Sequence, residues 1–167
     1  VTAPTVATLN NLLKKKIVNS KKVVVLRDPI IFLREIVQKK IVKLNDNQIE
    51  KNKYFISIGR LSRQKNFEFL INNLKDYLLK NCDFKLIILG DGEKKQKLQN
   101  LINQKKLEKQ ILLLGFKKNI FQYLKDAKAF ILPSLWEDPG FVILESAFMN
   151  IPIISSDCPN GPREILD

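Results

Sequence analysis

From residue 54 onward, short apolar runs alternate with stretches in which apolar positions recur every three to four residues. The runs at 54–58, 86–89, 111–114, 129–132 and 152–155 are mainly apolar and do not alternate. Strands covered on both faces have this character, whereas half-exposed strands alternate. Between them, 66–80 places Phe67, Leu70, Ile71, Leu74 and Leu78 on one helical face. A highly charged helix is predicted over 93–106, with Leu98, Leu101 and Ile102 facing in. Shorter helices are predicted over 120–127 and 141–149. Strand–helix alternation with such strands implies an α/β fold with a doubly wound parallel sheet and helices on both faces. Right-handed crossovers bring all strand carboxyl ends to one edge, where open α/β sheets bind ligands. The segments just after each strand therefore carry the candidate chemistry.

The first 53 residues are less regular. Val6, Leu9, Leu12 and Leu13 fall at helical spacing in 5–16, with Thr5 as a cap. A buried strand is predicted over 23–26, ended by Asp28 and Pro29, and a helix over 32–42. The polar stretch 44–53 reads as a loop. Residues 1–53 thus differ in organisation from the regular alternation over 54–167. The chain opens without an initiator Met or a signal pattern. It stops where a helix begins, around Arg163. The expectation is a piece cut from a longer chain.

Composition narrows the chemistry. The 167 residues are 45% hydrophobic and 28% charged, an ordinary globular balance. No apolar run approaches the ~20 residues needed to span a bilayer. There is no His, and Cys82 and Cys158 form no CxxC pair. A zinc site and His-based acid–base chemistry within this chain are therefore excluded. Two unpatterned cysteines fit a reducing cytoplasm. The net charge is +12, and residues 1–53 hold 12 Lys/Arg against 4 Asp/Glu. A basic end suits nucleic acid, anionic lipid or a phosphorylated substrate; equally, it is what a Lys-rich composition writes on every solvated face. The cations are not interleaved with aromatics as a single-strand binder requires.

Two segments stand out at the ligand edge. In the first, Gly59 ends a strand, Arg60 follows at once, and Lys65 precedes the next helix. Glycine permits a sharp turn. Arg offers a two-pronged hydrogen bond and Lys a mobile point charge, a pair suited to a diphosphate. The competing reading is two solvated cations in a Lys-rich protein. In the second, Glu137 lies in a loop and Glu145 in the second turn of the next helix. Between them, Gly140, Phe141 and Val142 offer backbone amides at a helix start, which favours an anion. A carboxylate in each place suits sugar hydroxyls and a ribose diol; the alternative is a capping Glu and a surface Glu. Gly90, Asp91 and Gly92 read as a tight turn with an Asp cap. Trp136 and Phe141 read as core or helix-packing residues before sugar-pocket residues. Cys158 lacks a visible base and is not read as a nucleophile.

Together these motifs resemble the retaining glycosyltransferases with two Rossmann-like domains, the GT-B fold and its GT4 family. The resemblance runs from about residue 54 to 167. It implies that the chain is the carboxyl-terminal, nucleotide-sugar-binding Rossmann-like domain, truncated at its end, with the amino-terminal acceptor domain absent. The stretch Gly59, Arg60 to Lys65 is similar to the family's diphosphate loop, so Arg60 and Lys65 would hold the phosphates. Glu137 and Glu145 match the family's paired glutamates with seven residues between. Glu145 would bind the ribose and Glu137 the transferred sugar. Gly59, Gly140, Phe141 and Val142 would lie against phosphate and sugar, and Phe116 against the base. Catalysis would fall to Glu137, Arg60 and Lys65. The sequence departs from the family in placing Asp138 and Pro139 between Glu137 and Gly140.

The resemblance implies a UDP-sugar donor and transfer with retention to a saccharide or lipid-linked acceptor, in surface polysaccharide or glycolipid synthesis. No metal or cofactor is expected, because cationic side chains and a helix end face the phosphates. Nucleic acid is not an expected partner. The expected location is the cytoplasm, with peripheral contact at the inner membrane face. Two alternatives remain: a nucleotide-sugar-binding domain without a transfer role, and a basic α/β domain binding RNA or anionic membrane through residues 1–53.

Overall fold

A computed structural model describes residues 1–26, 36–39, 42, 44 and 49–166. Strands β1 (Thr2–Ala3) and β2 (Val24–Val25) pair in parallel, with Thr2 opposite Val24. Helix α1 (Val6–Lys14) lies between them, and the Thr5 hydroxyl caps it by accepting from the Thr8 amide at 3.0 Å. Strand β1 and a 3-10 turn at Ser20–Lys22 have no counterpart in the sequence-based reading. Two- and three-residue elements carry too few positions for a period. Of the helix expected over 32–42, residues 36–39 are helical and residue 42 is not. The remainder of that expectation lies outside the described residues, as do residues 45–48 of the expected loop.

The main sheet has five strands: β3 (Tyr54–Ile58), β4 (Lys85–Leu89), β5 (Ile111–Gly115), β6 (Ala129–Leu132) and β7 (Ile153–Ser155). All are parallel, in the order β5-β4-β3-β6-β7. The helices between them are α2 (Phe67–Lys80), α3 (Lys95–Gln104), α4 (Phe121–Leu124) and α5 (Phe141–Phe148), with α6 (Pro162–Leu166) following β7. Along β4, Leu86 and Ile88 pack with α2 and α3 residues, whereas Ile87 and Leu89 join Phe121, Leu124, Val142 and Ile143 of α4 and α5. The period of two thus sends successive residues into opposite cores, and the sheet is doubly wound. Each of these buried Leu and Ile side chains contributes ~1.5–3 kcal/mol, so the continuous apolar runs are what the two cores require.

The chain moves from β3 outward through β4 to β5, then returns to place β6 on the other side of β3. The order reverses between β3 and β6. A crevice opens at the carboxyl ends of such a strand pair, because the two connections leave in opposite directions. Helix α3 is shorter than the predicted 93–106: Lys95 N donates to Gly92 O in a turn, and Lys106 takes a positive φ of 58°. Helix α4 is shorter than 120–127, because the chain turns at Ala127 and Lys128 N already bonds to Tyr54 O.

Candidate functional site

Three glycines end the strands on one side of the reversal. Gly59 N donates to Leu89 O and Gly90 N to Gly115 O, each at 2.9 Å. Gly90 has φ +139°, and a Cβ there would lie 1.9 Å from Gly59 O. Only glycine permits this approach. Above the glycines lies a cavity of about 460 Å³ lined by Gly59, Arg60, Asp91, Phe116 and Lys117 among others. Its walls are largely the apolar ends Ile58, Leu89 and Ile120. Phe116 is 76% exposed at its rim. Arg60 is largely exposed, with Glu93 at 3.8 Å, too long and too wet to hold the guanidinium. Asp91 accepts from Gly92 N at 2.8 Å and from Lys95 Nζ at 3.1 Å, so it braces the turn, whereas the helix that follows has no side-chain cap. These two donors hold its carboxyl below the ordinary aspartate range.

On the other side of the reversal, the loop from β6 to α5 brings Glu137 back over the sheet. Glu137 is 3% exposed. Its Oε1 accepts from Lys65 Nζ at 2.5 Å and from Ser134 Oγ at 2.5 Å. Among the described residues no buried side-chain oxygen lacks a partner, so Oε2, which takes neither bond, lies on the small open part of the side chain. The Lys65 stem runs over Gly59: a Cβ on that glycine would lie 2.8 Å from Lys65 Cε. Gly59 therefore leaves room for the lysine stem. Gly140 starts α5 from a left-handed conformation (φ 84°), and a Cβ there would lie 3.3 Å from Glu137 Cγ. The first amides of α5 have no helical acceptor and carry the positive end of the helix dipole.

The loop is clamped along its length. Leu135 N donates to Gln64 O at 2.8 Å, Gln64 Nε2 to Trp136 O at 2.9 Å, and Glu137 N to Pro159 O at 3.2 Å. Asp138, the departure noted in the sequence, accepts from Thr8 Oγ1 of α1 at 3.0 Å. That bond ties the loop to α1. Glu164 is committed to the same helix, accepting from the Ala7 amide at 3.0 Å and the Val6 amide at 3.2 Å. Pro139 O would lie 1.6 Å from a Cβ at Gly161, so glycine is required there too.

The structure brings Lys65, Glu137 and Gly140 together, and gathers Gly59, Arg60 and Phe116 around the cavity. Glu145 stands apart: no side-chain hydrogen bond or ion pair links it to Arg60, Lys65 or Glu137 among the described residues. It is half-buried on α5, where burial raises its carboxyl above the ordinary glutamate range, with Lys39 opposing. Val142 is buried at the start of the same helix. Trp136 (43% exposed) and Phe141 (38% exposed) are not core residues, and Phe141 lines a small cavity with Pro4, Thr5 and Ile165. The bond from Gln64 Nε2 fixes the Trp136 carbonyl and leaves its ring outside the core. Ser134 was missed. A serine two residues past the end of an apolar strand, at the ligand edge and three residues before Glu137, is the signal that could have found it. Among the described residues no group of three or more His, Cys, Asp and Glu could hold a metal, and no helix is long and apolar enough to cross a membrane.

Comparison with known proteins places this geometry in context. Residues 39–167 match the family model described as glycosyl transferases group 1. An uncharacterised glycosyltransferase of Methanocaldococcus jannaschii is 44% identical over 134 residues, which is 80% of this chain and 33% of that protein. A Campylobacter jejuni 4-alpha-N-acetylgalactosaminyltransferase acting on an undecaprenol diphosphate-linked saccharide is 36% identical over 115 residues, 69% of this chain and 31% of that protein. The chain spans about a third of the length of these relatives. Among solved structures, Staphylococcus aureus TarM in complex with UDP superposes over 100% of this chain and 31% of its own, with TM-score 0.80 at 20% identity. Anabaena HepE in complex with UDP and glucose gives TM-score 0.80 at 20% identity, over 100% of this chain and 46% of its own. At these identities the two structures establish a shared fold.

Proposed function

This chain belongs to the glycosyl transferases group 1 family, and from that premise we propose that its sheet edge binds the nucleotide-sugar donor of a glycosyl transfer reaction. One observation carries the reading. A cation-bearing apolar cavity and a buried Lys65–Glu137 pair flank the strand-order reversal, beside the amino terminus of α5. The nucleobase would sit against Phe116, the diphosphate between Arg60, Lys65 and the α5 amides, and the ribose against Glu145. The sugar would lie at Glu137.

In the reaction the bond between the anomeric carbon and the diphosphate oxygen breaks, and its electron pair leaves with the nucleotide. An acceptor hydroxyl oxygen forms the new bond and gives up its proton. Arg60, Lys65 and the helix start would neutralise the charge growing on the leaving diphosphate, the kind of preorganised stabilisation that is worth most in a water-poor site. These groups make a metal unnecessary for that task. Retention follows the family resemblance.

The same proposal covers the whole enzyme. Residues 54–167 would be the donor domain, residues 1–53 the lead-in from an acceptor domain, and the acceptor a saccharide or lipid-linked saccharide. Both named relatives are called glycosyltransferases, and the Campylobacter protein's name includes an undecaprenol-linked acceptor. Contact with anionic lipid is supported by Lys14, Lys15, Lys16, Lys21 and Lys22, exposed on either side of exposed Ile17, and the cytoplasmic location follows the family resemblance. Calorimetric titration with UDP, GDP and ADP, beside Lys65→Ala and Glu145→Ala, tests the donor site. Saturable binding of UDP that both substitutions weaken supports it. Absence of binding at millimolar nucleotide, or binding indifferent to both substitutions, contradicts it.

A further inference from the structure

Two small hydroxyls sit where β6 and β7 end. Ser134 is 2% exposed. Its Oγ gives its proton to Glu137 Oε1, the oxygen that also accepts from Lys65 Nζ. Its carbonyl accepts from Ser156 Oγ at 2.6 Å, and Ser156 N is anchored on Leu132 O at 2.9 Å. The root of the β6–α5 loop is thereby tied to the next strand. A continuous chain of bonds runs from Ser156 to Ser134 to Glu137 to Lys65, crossing from β7 to the start of α2.

Lysine is otherwise a poor candidate for a fixed charge. Its ammonium rides on a flexible four-carbon stem and is strongly hydrated. Lys65 stays in place because a buried carboxylate accepts from it, and that carboxylate stays in place because Ser134 donates to it. Both donors meet the same charged oxygen, Glu137 Oε1, and hydrogen bonds to an ionised acceptor are the stronger kind. The rotamers of Glu137 and Lys65 are thus set before any ligand arrives, which spares ordering cost on binding.

We propose that Ser134 is a positioning residue of the donor site: its hydroxyl fixes the Glu137 carboxylate and, through it, the Lys65 ammonium. The consequence for donor binding rests on the function proposed above, whereas the effect on Lys65 does not. Ser134 itself touches no substrate in this scheme, so its loss acts through the pair.

The test uses the 167-residue chain labelled with 15N-lysine. An ammonium held on a buried carboxylate exchanges its protons slowly enough to give a resonance, and Lys65→Arg assigns it by removal. The expected result is a Lys65 resonance in the unsubstituted chain, lost in Ser134→Ala and restored in Ser134→Thr. Calorimetry with UDP should follow it, with Ser134→Ala about tenfold weaker, as for loss of a hydrogen bond to a charged group, and Ser134→Thr close to the unsubstituted chain. Ser134→Cys, of the same shape but a weak donor, stands in if the alanine variant fails to fold. A Lys65 resonance that persists in a folded Ser134→Ala or Ser134→Cys chain overturns the proposal, as does its absence from the unsubstituted chain. If Lys65→Ala binds UDP as well as the unsubstituted chain, the donor-site reading fails separately, and the ammonium spectra still decide the role of Ser134.

Discussion

Lys65 and Glu137 lie 72 positions apart and meet at 2.5 Å, joining the loop after β3 to the loop before α5. The lysine side chain is 13% exposed and the glutamate 4%. A buried pair of this kind gains little over an apolar pair of similar volume, but breaking it strands a charge. Lys65→Met should therefore cost about 3 kcal/mol in urea unfolding, and the double variant with Glu137→Met should recover most of that loss. Equal losses from the single and double variants would mean that the pair is not formed.

Glu145 gives a prediction of opposite sign. Its folded carboxyl is raised by burial, with Lys39 opposing, so the folded state holds the proton more tightly than the unfolded state. Stability then falls as pH rises from the ordinary glutamate value, ~4.3, through the raised folded value. At pH 7 the charged Glu145 costs stability. Glu145→Gln should raise the Tm at pH 7, lose that advantage at pH 4, and weaken UDP binding by about tenfold or more. A lower Tm at pH 7 would show that the carboxylate is structural and not held for a ligand.

The glycine step under the cavity has no spare room. A Cβ at Gly90 meets Gly59 O at 1.9 Å, and its φ is +139°. Backbone strain alone is worth ~1–3 kcal/mol, and the clash is with backbone that cannot rotate away. Gly90→Ala should cost about 3 kcal/mol or more and weaken nucleotide binding. Chemical denaturation measures the first effect. An unchanged midpoint would mean that β3 and β4 do not end as described.

The two thiols should separate cleanly. Cys82 is exposed and Cys158 is buried. Burial raises the Cys158 thiol, with the Glu137 carboxylate adding to that shift and Ser156 and Lys65 opposing it. Since the thiolate is the reactive form, a disulfide reagent should modify Cys82 at once and Cys158 only on unfolding. Fast reaction of both thiols would show that the loop over the site opens readily.

The sheet was legible because each strand is a short, mainly apolar run that does not alternate, and the long helices from 66 onward have an apolar face. Tyr54–Ile58 and Ala129–Leu132 fall where the pattern puts them. The paired glutamates were legible as a spacing, but not their unequal environments: Glu137 is sealed by Lys65 and Ser134, whereas Glu145 has neither. Spacing carries no information about what another loop places opposite. For the same reason Trp136 was read as packing. A local pattern cannot reveal that Gln64 clamps its backbone from across the crevice and leaves the indole outside. Nor could the sequence show that Asp138 accepts from the Thr8 hydroxyl of α1, 130 positions away.

The most direct test of donor binding at the sheet edge is a 15N amide titration of the chain with UDP. Saturable shifts should concentrate at residues 59–65, 115–117 and 140–145, and weaken at the same UDP concentration in Lys65→Ala. Shifts confined to the basic residues 14–22, fading with added salt and indifferent to Lys65→Ala, would contradict a donor site and favour general anion binding.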